Sequence, residues 1–215
     1  MPLDSPTQVL AIRHAETDWN RAQRIQGHTD IGLSELGAAQ ARLLGQALSE
    51  LPVAAIYASD LLRAQQTAQA VAAAQVHQQA NPLRLDPQLR ERSFGCFEGL
   101  TWEQIKARWP SQSEQWRRRD ADFGAEGGET LADFYQRSVA ALTRIASRHP
   151  GQTIVIVTHG GVLDCLYRAA TGLSLQAPRT WTLGHAAINR LLYTQSGFSL
   201  VGWHDASHLE SLLQG

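Results

Sequence analysis

The chain has 215 residues, 43% hydrophobic and 18% charged, with a formal net charge of −1; this suits one large domain over 1–215 and excludes the basic excess of a nucleic-acid surface. Its two cysteines, Cys96 and Cys165, make no Cys-x-x-Cys pair and no disulfide framework, so they read as reduced thiols of a cytoplasmic protein. The opening Met1-Pro2-Leu3-Asp4-Ser5-Pro6 lacks a basic segment followed by an apolar one, and no apolar run approaches the roughly 20 residues of a membrane span, so neither a signal peptide nor a membrane partner is expected.

Val9-Leu10-Ala11-Ile12 is a continuous apolar run leading straight into Arg13 and His14, the pattern of a parallel strand covered on both faces. The polar loop 16–32 holds Trp19, Asn20, Ile25, Gln26, Gly27 and His28 and reads as packed and functional. Ser34 offers an N-cap to a helix in which Leu36, Ala39, Leu43, Ala47 and Leu51 recur, with Pro52 as its stop. Residues 53–58 form a second strand, Ser59-Asp60 a capping pair, and 61–76 an Ala/Gln-rich helix with Arg63 in its first turn. Leu83-Arg84-Leu85, between Pro82 and Pro87, reads as an edge strand.

Residues 89–129 are irregular, with Arg90-Glu91-Arg92, Phe94-Gly95-Cys96-Phe97-Glu98-Gly99 and short helical pieces at 102–109 and 113–119. Lacking a core of its own, the segment 93–128 is expected to be an insert or lid over the carboxyl edge of the sheet, not a second domain. From Thr130, residues Leu131, Phe134, Tyr135, Val139, Leu142, Ile145 and Ala146 line one face of a long helix that Pro150-Gly151 stops. Thr153-Ile154-Val155-Ile156-Val157-Thr158 is the strongest strand; it runs into His159-Gly160-Gly161 and a helix from Val162 to about Ala170. Residues 187–193 and 200–203 read as a hairpin around Ser196-Gly197. The alternation predicts an α/β fold, a three-layer α/β/α sandwich around a mostly parallel central sheet.

In such a sheet the carboxyl ends of the strands cluster, bringing Arg13, His14, Arg63 and His159 to one crevice. A single histidine at a strand end reads as a hydrogen-bonded structural residue; two of them meeting two arginines at three strand ends read as a site. Guanidinium forks suit a tetrahedral oxyanion, the histidines offer a nucleophile and a second donor, and Gly160 and Gly161 let backbone N–H groups approach an anion at a helix start. That set suits metal-independent phosphoryl transfer through a phosphohistidine, with a carboxylic acid of raised pKa protonating the leaving oxygen. Glu91 is the candidate acid, though spacing does not choose it over Glu98 or Glu16. Arg117-Arg118-Arg119 reads as a solvated helix face, with contact to an anionic substrate group as the alternative. A zinc set of His14, His28 and His159 lacks a supporting His-x-x-x-His pair or cysteine cluster, so no metal and no cofactor are expected. Trp19, Trp102, Trp109, Trp116 and Trp181 read as packing anchors.

Four blocks resemble the histidine phosphatase superfamily, in the branch that includes cofactor-dependent phosphoglycerate mutases. They are Ile12-Arg13-His14-Ala15-Glu16-Thr17-x-Trp19-Asn20, Ser59-Asp60-Leu61-x-Arg63-Ala64-x-x-Thr67, Leu89-Arg90-Glu91 with Phe94-Gly95-x-Phe97-Glu98-Gly99, and Val157-Thr158-His159-Gly160-Gly161. They occur in the family's order and span nearly the whole chain. The resemblance implies a phosphoglycerate mutase-like fold, His14 as nucleophile and Glu91 as general acid. It implies that Arg13, Arg63 and His159 hold the transferred phosphoryl group, with Asn20 and Gln26 touching it or the substrate. Ala15 departs from the signature's usual glycine, a small steric change. The short interval from Glu91 to His159 and the segment ending Gly127-Gly128-Glu129-Thr130 resemble the phosphatase members. The expected activity is therefore hydrolysis of a small phosphorylated metabolite; sugar phosphates, phosphoglycerate derivatives and α-ribazole phosphate are candidates. Arg117 to Arg119 keep a 2,3-bisphosphoglycerate-dependent phosphoglycerate mutase as the alternative, and a phosphate-sensing scaffold is the non-enzymatic one. The assembly is left open between monomer and homodimer.

Overall fold

The computed structural model describes residues 5–76 and 83–213; Pro82 and Met1 to Asp4, which figure in the reading above, lie outside them. A six-stranded sheet runs in the order β3-β2-β4-β1-β5-β6, where β1 is Thr7–Arg13, β2 Ala55–Ala58, β3 Arg84–Leu85, β4 Thr153–Thr158, β5 Ile188–Thr194 and β6 Gly197–Asp205. The first four strands are mutually parallel, β5 is antiparallel to β1, and β6 to β5. The helices are α1 Asp18–Arg21, α2 Glu35–Ala47, α3 Leu62–Ala74, α4 Trp102–Arg108, α5 Pro110–Arg117, α6 Leu131–Ala146 and α7 Gly160–Thr171.

The apolar runs of β1 and β4 are unbroken because both faces of the central sheet are covered. Val9, Ala11, Ile154 and Ile156 pack on one side with residues of α6 and α7. Leu10, Ile12, Val155 and Val157 pack on the other with residues of α2 and α3. Ile154, Val155, Ile156 and Val157 are all at 0% exposure, each contributing about 1.5–3 kcal/mol by burial. This is the three-layer arrangement expected, and no helix among the described residues is long and apolar enough to cross a membrane.

Several local expectations change. The loop 16–32 contains α1, whose N-cap Thr17 forms a capping box with Asn20. Ser59-Asp60 is not the cap of α3: its N-cap is Leu61, without a side-chain bond. Instead Asp30 accepts from the Leu62 N–H at 2.7 Å, while Asp60 accepts a fork from Arg90 at 2.7 and 2.6 Å. Helix α7 starts at Gly160, and α2 and α6 end before the prolines read as their stops. The insert does have a core, contrary to expectation. Phe97, Ile105, Phe123 and Ala125 are buried together, packed against Phe94, Trp109, Trp116 and Ile25. The Phe97 ring lies 5.3 Å from Trp109 and 5.8 Å from Trp116. Aromatic residues at irregular spacing build this cluster, so no periodic pattern marks it.

Candidate active site

The register of β1 on β4 pairs Arg13 with Thr158, so the residues that follow, His14 and His159, leave the same edge of the sheet side by side. The His14 N–H donates to the Thr158 carbonyl at 2.8 Å, and the two imidazole centroids are 5.2 Å apart. The His14 Nδ1 lies 2.8 Å from the Ala15 carbonyl oxygen. A carbonyl only accepts, so Nδ1 carries the proton and Nε2 keeps its lone pair. Burial, then the charges of Arg63 and Arg13, hold the His14 pKa well below the ordinary histidine value, so the imidazole is neutral near pH 7. Burial and then Arg63 do the same at His159, whose two ring nitrogens are buried without a partner among the described residues. Such an unsatisfied pair is costly in a closed interior.

Arg63, at 1% exposure, donates to the Thr29 carbonyl at 3.0 Å and the Gly27 carbonyl at 2.8 Å. Arg13 donates to the Leu183 carbonyl at 2.6 Å. Among the described residues the Nε of each is buried and unpaired, and neither guanidinium forms an ion pair with a carboxylate. Burial lowers the Arg63 pKa, and that of Arg13 to about 10, partly opposed by the charge of Glu91. One buried and one partly buried cation, without a carboxylate partner among the described residues, mark a place for an anion.

Geometry separates the three glutamates. Glu91 accepts from the Gly161 N–H at 2.9 Å and from the Arg92 N–H at 2.9 Å. Glycine at 161 leaves room for this carboxylate: a Cβ there would stand 2.1 Å from Glu91 Oε1 and push it aside. Glu98 is fully engaged with the backbone N–H groups of His28, Thr29 and Phe94 and with the Thr29 hydroxyl. Glu16 holds Ser34 and Arg21. Among the described residues, Glu91 is the one carboxylate lining a cavity of about 440 Å³. Arg13, His14, Asn20, Gln26, Arg63 and Gly160 line the same cavity, and His159 is buried beside them. Asn20 uses Oδ1 to accept from Thr17, leaving its Nδ2 free of that bond. His28 donates Nε2–H to the Glu91 carbonyl at 2.9 Å, and among the described residues no three His, Cys, Asp or Glu side chains converge as a metal site.

The sequence matches the histidine phosphatase superfamily (branch 1) over residues 9–206. The chain belongs to that family. It is 35% identical to phosphoglycerate mutase-like protein 4 of Arabidopsis thaliana over 209 residues, 94% of this chain and 87% of the relative. It is also 34% identical over 209 residues to a metal-independent phosphoserine phosphatase of the same plant, covering 96% of this chain and 84% of the relative. Among solved structures, the mycobacterial glucosyl-3-phosphoglycerate phosphatase Rv2419c in complex with VO3 superimposes with a TM-score of 0.80 at 30% identity, covering 92% of this chain and 99% of that one.

Within this histidine phosphatase, the structure adds wall residues that sequence reasoning missed. Arg24, Phe94, Arg179, Thr182 and Leu183 line the cavity, as does Trp181. Trp181 is a packing anchor as expected, stacked on Tyr167 at 4.0 Å, but it also faces the site. His185 donates Nδ1–H to the His14 carbonyl at 3.1 Å, and burial lowers its pKa to about 4. Arg117 and Arg118 pair with Glu114 on the exposed surface, while Arg119 turns inward to Asp164; none of the three lines the cavity.

Proposed function

We propose that this protein is a metal-independent phosphatase that hydrolyses a small phosphorylated metabolite through a phosphohistidine on His14. The observation that carries the reading is a neutral His14, with its Nε2 lone pair free, beside two guanidiniums whose Nε atoms are buried and that have no carboxylate partner among the described residues. The non-bridging oxygens of the phosphoryl group accept from Arg13, Arg63, His159 and the Gly160 end of α7. His14 Nε2 attacks phosphorus as the ester P–O bond breaks, and Glu91 gives its proton to the leaving oxygen. Water then attacks the phosphohistidine, Glu91 takes up the proton, and the P–N bond breaks to return neutral His14. The guanidiniums stabilise the charge that develops on the equatorial oxygens. Asn20 and Gln26 orient the group or its ester from the loop. The relatives named for phosphoserine and glucosyl-3-phosphoglycerate hydrolysis support a phosphomonoester substrate. The free thiols Cys96 and Cys165 suit a cytoplasmic setting.

The relative named as mutase-like supports a second reading, transfer of the phosphoryl group to another hydroxyl. Against it, the basic run that favoured it adds no charge to the cavity, since Arg117 and Arg118 are spent on Glu114 and Arg119 on Asp164. The test is a phosphometabolite panel with p-nitrophenyl phosphate included, run beside 3-phosphoglycerate with and without 2,3-bisphosphoglycerate. Phosphate release, an acid-labile phosphoenzyme, and loss of at least about 10³-fold activity in His14→Ala are expected. Hydrolysis that survives His14→Ala would remove the mechanism, and isomerisation outpacing phosphate release would establish the mutase.

A further inference from the structure

The segment 172–187, between α7 and β5, has neither helix nor strand, yet it carries Arg179, Trp181, Thr182 and Leu183 onto the cavity wall. The carbonyls of Ser174, Leu175 and Ala177 sit in no ladder, and arginines donate to them. Arg168 on α7, at 0% exposure, donates to the Ser174 carbonyl and, at 2.9 Å, to the Ala177 carbonyl. Arg119, at the end of the α5 region, donates to the Leu175 carbonyl at 2.5 Å. Both guanidiniums meet on one atom, Asp164 Oδ2, at 3.0 Å from Arg168 and 2.6 Å from Arg119. The Arg168 guanidinium also lies 4.9 Å from the centre of the Trp181 ring. The far end of the segment is tied separately: Trp203 Nε1 donates to the Thr182 carbonyl at 2.8 Å and Arg13 to the Leu183 carbonyl at 2.6 Å.

We propose that Arg119, Asp164 and Arg168 are positioning residues that set substrate specificity, by clamping the outer cavity wall that carries Arg179 and Trp181. This rests on the reading that the cavity binds the phosphorylated substrate. The clamp grips 174–177, whereas the phosphoryl-binding end is held through Leu183 and Arg13. Loosening it therefore frees the wall that meets the rest of the substrate and leaves the reacting groups in place. Such a change acts on KM and spares kcat.

Arg119 gives the cleanest test. Its φ is +56°, an angle glycine prefers, so Arg119→Gly removes the guanidinium without backbone strain. In that variant, amide hydrogen exchange of residues 172–181 should accelerate at least about tenfold. KM for the best panel substrate should rise about fivefold to twentyfold with kcat within about twofold. Inhibition by orthovanadate, which fills the phosphoryl-binding end alone, should not change. Arg119→Lys, which keeps the charge but not the fork, should fall between the two. Unchanged exchange in 172–181 would overturn the proposal. So would a fall in kcat together with vanadate affinity, which would make Arg119 a general stabilising residue. Exchange needs no turnover: if no panel compound were hydrolysed, the phosphatase reading would fail and exchange alone would decide the clamp.

Discussion

At Gly161, one methyl group is enough to move the acid of the proposed mechanism. Its N–H holds Glu91 Oε2 at 2.9 Å, and a Cβ would stand 2.1 Å from Glu91 Oε1 and 3.0 Å from the Phe134 ring. Its φ is not left-handed, so alanine keeps the α7 backbone while the carboxylate is displaced. Gly161→Ala should lower kcat about 100-fold, as expected for lost proton transfer, and change KM less than about threefold, because Arg13 and Arg63 stay in place. Steady-state kinetics on an alkyl phosphomonoester, whose leaving oxygen needs the proton, check this, and an unchanged kcat there would remove Glu91 as the acid. Arg13, His14, Arg63 and His159 were legible because each ends a strand or opens the helix behind one. Glu91 was not separable from Glu98 or Glu16, since the choice depends on which carboxylate the loops turn inward. Arg119 is hidden in a run of three arginines; its left-handed backbone alone sends it inward.

Between residue and fold stands the loop that presents Arg63 with its acceptors. Glu98 accepts four bonds, from His28 N and Phe94 N on Oε1 and from Thr29 N and Oγ1 on Oε2. The carbonyls of Gly27 and Thr29 in the same loop hold the Arg63 guanidinium. Glu98→Gln turns one of those oxygens into a donor facing donors, so it should cost about 2 kcal/mol of stability, the scale of a buried group left unsatisfied. The urea midpoint should fall accordingly, and KM should rise as Arg63 loses its frame; an unchanged midpoint would show that the loop does not depend on this clip. At this scale the strands were readable because β1 and β4 are buried on both faces. The helix ends were less so: Pro52 and Pro150 forbid continuation, but α2 and α6 stop before reaching them. The segment 172–187 has no period to read. Its order comes from arginine forks on carbonyls, which pair residues distant in sequence.

Over the whole molecule, the site carries an electrostatic cost that pH exposes. Burial, with the charges of the neighbouring arginines, holds His14 and His159 well below the ordinary histidine pKa, and His185 at about 4. In the unfolded chain each titrates near 6.5. Between that value and the folded one, the unfolded state binds more protons than the native state, so stability rises with pH in this window and is lost as pH falls. Each such histidine removes up to about 1.4 kcal/mol per pH unit below about 6.5; for His185 the loss levels off near pH 4. The ion-paired carboxylate Asp205, with its pKa lowered to about 2 by Arg190, acts in a separate window, losing its contribution as pH falls from about 4 toward 2. The melting temperature of the unliganded protein should therefore drop steeply from pH 6.5 to 4, before the carboxylates titrate. His185→Gln, whose amide can still donate to the His14 carbonyl, should make that slope shallower by the share of one proton. Inorganic phosphate should flatten it further, because an anion between Arg13 and Arg63 offsets the positive field that keeps His14 and His159 unprotonated. Thermal melts across this range, with and without phosphate, measure all three. A melting temperature constant between pH 6.5 and 4 would mean that these histidines do not titrate with folding, and that burial beside the arginines does not hold them neutral.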